Sequence, residues 1–248
     1  MCASGTVVKG VDVSVYQGTV DWAKVKGATI DFAIARVSDG TGTLDTTFAT
    51  NWKGIAAQNL VRGVYQYFEP SEDPVAQANL LLTQVSDAGG FVPGDLPPVM
   101  DMEKTGGQTD ATIQANMQSW LDTIEKAFGR KPLIYTNEST STHFGGKFTS
   151  YPLWVASWGG ACPTMPDGFT QWVLWQNAAT GTLNGISGNV DHDEFNGSLS
   201  DLLAWANPTA PSDAGTSDAS GNDASTKADA NAPTDASAPT DASNPCAP

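Results

Sequence analysis

The sequence predicts an α/β fold, an irregular TIM-like barrel of eight strands followed by a disordered C-terminal tail. Two observations carry this prediction. Five apolar, β-rich runs alternate with helical patterns, and three more runs follow, separated by Gly/Pro-rich loops too short for full helices. Such alternation favours parallel strands joined by right-handed crossovers. The last forty or so residues contain no aromatic residue, so they cannot form a core of their own.

The predicted strands follow the apolar runs in chain order. They are Lys9–Val15, Asp31–Ser38, Val61–Phe68, Pro98–Glu103, Pro132–Asn137, Leu153–Trp158, Trp172–Asn177 and Asn189–Phe195. Eight strands, five with helices and three without, favour a closed but irregular barrel. In a (β/α) barrel the functional residues lie at the carboxyl ends of the parallel strands.

The predicted helices lie between the first five strands and carry start and stop signals. A short helix begins at Asp21–Val25, and longer ones cover Thr46–Asn59, Asp73–Asp87 and Thr109–Phe128. Pro74 suits the first turn of the third helix, and Gly129 suits the end of the fourth. We interpret Asp21, Asp45 and Asp73 as capping residues, because each precedes or opens a helix.

The composition argues against two classes of partner. The formal net charge is −15 with 12 Lys and Arg residues, which provides no basic surface for nucleic acid. The same acidity disfavours anionic membranes, and no apolar run approaches the ~20 residues of a transmembrane helix. A neutral substrate such as a polysaccharide is a better match.

The composition also divides the chain into three parts. Residues 1–8 form an N-terminal segment, residues 9–206 the barrel, and residues 207–248 the tail. The tail consists mainly of Ala, Asp, Ser, Thr and Pro, and repeats Ala-Pro-Thr-Asp-Ala-Ser at 232–237 and 238–243. It cannot bury enough apolar surface to offset an ordering entropy of ~1–2 kcal/mol per residue. We therefore expect a disordered spacer.

The cysteines leave two interpretations open. Cys2 either stands where a bacterial lipoprotein carries its lipid, or is an ordinary cysteine near a chain end. The odd count leaves at least one of Cys2, Cys162 and Cys246 unpaired or modified, and which of them form a disulfide stays open. Neither the cysteines nor His143 and His192 have metal-ligand spacing, so we expect no metal and no cofactor.

Carboxylates at strand ends are the candidate catalytic groups. Residues i and i+2 of a strand share a face, so Asp101 and Glu103 should point one way, ~6–7 Å apart, with the flanking methionines opposite. Asp12 lies on the first strand and Asp191 on the last, and barrel closure should bring these two together. Crowded carboxylates repel each other, and a raised pKa is what a general acid needs near neutral pH. Arg36 is the cation expected to reach inwards.

Aromatic residues accompany the acids near the strand ends. They are Tyr65, Tyr67, Tyr135, Trp158 and Trp175. Flat apolar rings suit the faces of sugars, and phenol hydroxyls can hydrogen-bond them, although a barrel core also needs large side chains. Parity does not decide between Trp175 and Gln176, which point in opposite directions, so both stay candidates for substrate binding.

Four motifs in this order resemble glycoside hydrolase family 25, the Chalaropsis-type lysozymes. They are Gly-Val-Asp-Val-Ser-Val-Tyr-Gln-Gly at 10–18, Asn-Trp-Lys-Gly at 51–54, Leu-Pro-Pro-Val-Met-Asp-Met-Glu at 96–103 and Gly-Asn-Val-Asp at 188–191. The resemblance runs from about Val8 to Ala206. It implies a flattened (β/α)5β3 barrel, in agreement with the strand count. One departure is on the third strand, where Tyr65-Gln66-Tyr67 replaces the common Tyr-His-Phe.

The resemblance also implies an activity and its residues. The activity is hydrolysis of the β-1,4 bond between N-acetylmuramic acid and N-acetylglucosamine in peptidoglycan. By matching position, Glu103 is the general acid/base, Asp101 is its partner, and Asp12 and Asp191 are the other two acids of the site. Either a water attacks with inversion, or the substrate's acetamido oxygen attacks with retention. We favour substrate assistance, with Tyr135 holding the acetamido group.

Two other functions remain as alternatives. A chitinase-like hexosaminidase shares the barrel and the Asp-x-Glu pattern, and a cell-wall-binding module would have lost its activity. For the favoured function the partner is the glycan strand of peptidoglycan, and we expect a monomer. The location would be secreted, periplasmic or at the cell surface, with a lipid anchor on Cys2 in one of the two interpretations.

Overall fold

The computed structural model describes residues 1–3 and 5–208. All eight predicted strands are present, and a short one, β3, follows the second. The strands are β1 (Val8–Val13), β2 (Phe32–Asp39), β3 (Thr43–Leu44), β4 (Val61–Tyr67), β5 (Val99–Asp101), β6 (Leu133–Thr136), β7 (Leu153–Ala156), β8 (Leu174–Gly181) and β9 (Val190–Phe195). The helices are α1 (Trp22–Gly27), α2 (Phe48–Ala57), α3 (Pro74–Asp87), α4 (Asp110–Phe128), α5 (Glu138–Ser141) and α6 (Leu199–Ala206).

The strands form a closed barrel, as predicted. Their order is β1-β9-β8-β7-β6-β5-β4-β2, and β1 also pairs with β2 to close the ring. The strands from β1 to β8 run parallel around this ring, whereas β9 is antiparallel to both of its neighbours, β8 and β1. Because β9 runs backwards, its first residues lie beside the carboxyl end of β1. Asp12 is directly opposite Asp191 in this pairing.

Two apolar layers follow from strand parity. The outer layer lies between the sheet and the helices, and Met100 and Met102 point into it as predicted. The inner layer fills the barrel and includes Phe32, Leu133 and Leu174. Alternation along each strand separates the two layers, because successive side chains point to opposite faces.

The predicted helix signals are confirmed at three helices, whereas Asp45 does not cap α2, whose N-cap position is Thr47. Asp21 accepts a hydrogen bond from the Lys24 amide, and Asp73 caps α3, with Pro74 in its first turn. Gly129 ends α4 in the left-handed conformation that glycine adopts readily. Asp45 bonds the amide and hydroxyl of Thr47 before α2.

The N-terminal segment is fixed to the loop after β7. Cys2 forms a disulfide with Cys162, and the Trp172 indole donates to the Met1 carbonyl. A lipid thioether would need the same Cys2 sulfur, so the lipid-anchored interpretation does not hold for the disulfide-bonded form described here. Beyond Pro208, the predicted disordered tail lies outside the described residues. Within the described part, no helix is long and apolar enough to cross a membrane.

Candidate active site

A small cavity of about 60 Å³ opens at the carboxyl end of the barrel. It is lined by Asp12, Tyr65, Asp101, Glu103, Tyr135, Trp154, Gln176 and Asp191. These residues come from seven of the eight barrel strands or from just past their ends, so closure of the sheet brings them together. The four acids taken from the strand-end pattern are therefore in one pocket.

Asp101 and Glu103 are closer to each other than strand geometry predicted. The strand β5 ends at Asp101, and Glu103 lies two residues beyond it. The two side chains are hydrogen-bonded to each other. Burial raises the pKa of Asp101 well above its usual value, and the charge of Glu103 raises it further.

Glu103 differs from Asp101 in its access to solvent. The residue is exposed at the mouth, but its carboxyl group is partly enclosed, and this desolvation raises its pKa. Hydrogen bonds with Asp101 and Tyr135 and the positive charge of Lys104 oppose the rise. The Lys104 ammonium group pairs with Glu69 at 2.5 Å.

Three more carboxyl groups gather on the opposite wall, from Asp12, Asp191 and Asp193. Burial raises the pKa of Asp12, and the charges of Asp193 and Asp191 add to it. Burial raises the pKa of Asp191 to about 6. Asp193 is 1% exposed, and its pKa is raised by burial and by Asp191. Together with Asp101 they are called the mouth acids below.

Gln176 connects this wall to the Glu103 side. Its amide nitrogen donates to Asp12 Oδ2 at 2.8 Å. Its oxygen accepts from the Tyr135 hydroxyl at 2.8 Å and from the Trp158 indole at 3.0 Å. An indole N–H can only donate, so the amide orientation is fixed by its partners. Gln176 is 4% exposed and is thus a buried junction.

Trp154 forms the floor of the pocket. Its indole donates to Asp193 Oδ1 at 2.9 Å. Its ring packs edge-on against Tyr65 and Tyr135, with centroid distances of 6.2 and 4.7 Å. The Trp154 indole therefore lies between the acids at the carboxyl end of the barrel and the apolar residues deeper inside it.

Three predicted binding residues lie at the rim of the pocket. Trp158 is 59% exposed beside Gln176. Tyr67 is half-buried, with the Lys104 ammonium group 5.0 Å from its ring centre. Arg36 is at the mouth, as expected, but its Nε is held by Asp45 at 3.1 Å.

Trp175 is a correction to the sequence prediction. It is 6% exposed in the outer layer, where its indole donates to the Ser157 carbonyl. Gln176, its neighbour, faces the pocket instead, which parity alone did not decide. Gln66, at the departure on the third strand, also points outward, since it bonds Ser38 and the Trp120 indole. The Gln66 part of the departure is therefore away from the pocket, whereas Tyr67 lies at its rim.

Sequence reasoning missed Asp193 and Trp154. Both have a signal in the strand pattern, because Asp193 is two residues from Asp191 on β9 and shares its face. Trp154 is four residues before the predicted binding residue Trp158 and has the same parity along the predicted strand Leu153–Trp158. Each would have been found by following parity inward from the strand end.

The arrangement combines a solvent-accessible acid of raised pKa with a buried carboxyl partner. A group of this kind can be protonated near neutral pH and can then donate a proton to a leaving oxygen. Tyr135, Asp12, Asp101 and Asp191 line the pocket and offer polar contacts to a bound substrate. Aromatic rings at the floor and rim offer apolar ones. Such a site suits acid-catalysed cleavage of a sugar polymer.

Comparisons with known proteins agree with this chemistry. The family model described as glycosyl hydrolases family 25 matches residues 11–186. Lysozyme M1 of Streptomyces globisporus is 36% identical over 216 residues, which cover 82% of this chain and 72% of that protein. The N,O-diacetylmuramidase of Chalaropsis sp is 29% identical over 207 residues, covering 75% and 96% respectively. The crystal structure of a bacterial lysozyme from Streptomyces coelicolor superimposes with a TM-score of 0.75 at 33% identity, covering 84% of this chain and all of that one.

Proposed function

The chain belongs to glycosyl hydrolase family 25, and from this premise we propose that it cleaves the β-1,4 bond between N-acetylmuramic acid and N-acetylglucosamine in peptidoglycan. It is a glycoside hydrolase of the muramidase type. The single observation that carries the bond assignment is the hydrogen-bonded Asp101–Glu103 pair, in a pocket that six further polar or aromatic residues line.

Glu103 is the general acid in this proposal. It is the acid of the pair that solvent reaches, and burial raises its pKa, which favours the protonated form that a general acid needs. It transfers this proton to the glycosidic oxygen as the bond to the sugar C1 breaks. Water later attacks C1 and returns a proton to the Glu103 carboxylate.

Asp101 orients the acetamido group of the substrate. The acetamido carbonyl oxygen attacks C1 while Asp101 holds the N–H, so no covalent bond to the enzyme forms and the anomeric configuration is retained. The closeness of Asp101 to Glu103 supports this role, because a water attacking from the opposite side usually needs a wider carboxyl separation, ~6.5–9.5 Å. The Tyr135 hydroxyl lies beside both Gln176 and Glu103, close enough to contact the same acetamido group.

Inversion is the competing stereochemistry. Asp12 and Asp191 line the other wall and offer a base for a water. NMR of the first-formed product distinguishes the two outcomes. An inverted anomer would remove substrate assistance and leave Glu103 as the acid.

Mass spectrometry of fragments released from purified peptidoglycan tests the bond. We expect products that end in reducing N-acetylmuramic acid. Glu103→Gln should lower the rate by roughly 10²–10⁴-fold, the usual contribution of general acid catalysis. Glu125→Gln, on the outside of α4, is the matched control and should retain activity.

The same assay separates the alternatives. A chitinase-like enzyme would clear chitin in preference to peptidoglycan. A binding module would retain wall binding in both variants and release no fragments from either. Undiminished lysis by Glu103→Gln would remove that residue from its role.

The enzyme acts outside the cell or at its surface in this proposal. Its relatives are lysozymes and muramidases by name, and the Cys2–Cys162 disulfide suits an oxidising compartment. The partner is the glycan strand, and the active species is a monomer.

A further inference from the structure

Two aromatic side chains in the described part of the chain are exposed, Tyr16 at 82% and Trp158 at 59%. Both lie at the carboxyl-end rim of the barrel, Tyr16 after β1 and Trp158 after β7. Trp158 already belongs to the pocket through Gln176. Tyr16 has no role in the function proposed above.

The turn that carries Tyr16 is fixed at several points. Residues Val15–Gln17 form a 3-10 turn, which a reciprocal pair of bonds between Ser14 and Gln17 closes. The Val15 amide donates to Asp45 Oδ2 at 2.7 Å. The Gln17 amide group donates to the Asn189 carbonyl at 3.2 Å, two residues before Asp191. The turn is thus bound both to the start of α2 and to the loop that enters the pocket.

The Tyr16 ring is itself supported from one side. The Arg36 guanidinium carbon is 5.1 Å from its ring centre, and Asp45 holds that guanidinium. Arg36 and Asp45 are both buried, so the support is rigid. A ring that is 82% exposed and supported on one face presents its other face to solvent. Exposed Val15 and Leu44 extend the apolar surface beside it.

The catalytic pocket is too small to hold more than a fraction of the polymer. Its volume of about 60 Å³ is well below the ~300–1,000 Å³ of typical small-molecule sites. A glycan strand must therefore lie across the mouth, with most of its sugars on the rim. Tyr16 is four residues from Asp12, at most about 13 Å along an extended chain. It is therefore within reach of a sugar next to those in the pocket.

We propose that Tyr16 is a stacking platform for a sugar ring of the glycan strand outside the catalytic pocket, and that it gives the enzyme a preference for longer strands. This inference rests on the proposed function for its ligand, a neutral N-acetylated glycan. A pyranose ring offers an apolar C–H face to the open side of the tyrosine, and its hydroxyl groups remain in water. The cation beneath the ring keeps the tyrosine in place without adding charge to the exposed face.

Binding to glycan fragments of defined length tests the platform. Peptide-free fragments of two, four and six sugars are titrated by calorimetry into the Glu103→Gln protein, which should not cleave them. We expect affinity to rise with length. Adding Tyr16→Ala should lower hexasaccharide affinity roughly tenfold while changing disaccharide affinity little, so that the ratio of the two falls. Tyr16→Trp should restore the ratio.

Leu203→Ala is the matched control, since Leu203 is an exposed apolar residue on α6. Circular dichroism checks that every variant is folded. Unchanged hexasaccharide affinity in Tyr16→Ala overturns the platform, and so does an equal loss at all lengths. Absence of any length dependence in the parent also overturns it.

The two proposals fail in different ways. If the unmodified chain releases no fragments from peptidoglycan, but fragments bind with a Tyr16-dependent length preference, the cleavage assignment fails and the platform stands. If the chain cleaves peptidoglycan and Tyr16→Ala leaves the length preference intact, the platform fails and the function stands.

Discussion

The two ends of the barrel interior are built from opposite chemistry. The carboxyl end holds the four mouth acids, all with pKa values raised by burial. The other end is apolar, with Phe32, Leu133 and Leu174 almost completely buried. The apolar end stabilises the fold by removing hydrocarbon from water. The acid end lowers stability, because burying carboxylates close together is unfavourable.

The contrast teaches which residues the fold needs and which the reaction needs. Substitutions at the acid end should affect activity without loss of stability. Substitutions at the apolar end should do the reverse. Trp154 lies between the two ends and belongs to both.

Asp101→Asn should give the largest effect on activity of the variants below, and it tests the acid end of the barrel directly. We expect a loss of activity of roughly 10²–10³-fold, because the acetamido group loses its carboxyl partner. The melting temperature should stay equal or rise, since a buried carboxyl with one oxygen lacking a donor in the described part is replaced by a neutral amide. Asp87→Asn, at the exposed end of α3, is the control. A large drop in melting temperature would contradict this view of the acid end.

Leu133→Ala tests the other end. Leu133 is fully buried in the inner layer, so truncation should cost ~2–5 kcal/mol of unfolding free energy through lost burial and a cavity. Urea unfolding measures this, and KM of the folded fraction should not change. Leu203→Ala, on the surface, should cost little. Equal losses of unfolding free energy in the two variants would contradict the view that the buried apolar end stabilises the fold.

The pH dependence of stability probes all mouth acids at once. Their pKa values are higher in the folded chain than in the unfolded one, so the folded chain binds protons more tightly. The free energy of unfolding should therefore fall as the pH rises from about 4 through the folded values, about 6 for Asp191. Melting temperature should be a few degrees higher at pH 5 than at pH 7.5.

Asp193→Asn provides the control for this pH dependence. It removes one raised pKa and should flatten the slope. The exposed capping acids Asp21 and Asp201 have lowered pKa values, so their contribution is lost only below about pH 4, outside this window. A melting temperature that rises between pH 5 and pH 7.5 would contradict the prediction.

Trp154→Phe should give the smallest effect, at the boundary between the two ends. Phenylalanine keeps most of the packing against Tyr65 and Tyr135 but removes the donor to Asp193. We expect a loss of ~1–3 kcal/mol in unfolding free energy, larger at pH 7.5 than at pH 5, because the unpaired group is an acid. Trp172→Phe, whose indole bonds the Met1 carbonyl, should show no such pH dependence.

Hydrophobic periodicity and the alternation of side chains along strands predicted most of the barrel and the positions of its acids. Closure placed Asp12 opposite Asp191, because a ring must bring its first and last strands together. Parity placed Asp101 and Glu103 on one side, but it assumed a strand as far as Glu103. The strand ends at Asp101, and the closer approach of the two carboxyl groups depends on that local ending.

Other features depend on contacts that no local pattern encodes. The alternation of side chains along a strand predicts that Trp175 and Gln176 face opposite ways. Only the packing of the whole barrel determines which of them faces the pocket. The pairing of Cys2 with Cys162 depends on two positions 160 residues apart that meet in the fold. The support of Tyr16 by Arg36 and Asp45 is likewise tertiary.

The Cys2–Cys162 bond turns most of the barrel into a covalent ring. A protease that cuts one loop between these residues opens the ring but releases no fragment, and the strands on either side of the cut stay linked. In the simplest model, closing a loop of this length lowers the conformational entropy of the unfolded chain. This stabilises the folded chain by about 5 kcal/mol. A single cut in any loop from the first strand to the seventh would thereby leave the two parts of the barrel covalently joined.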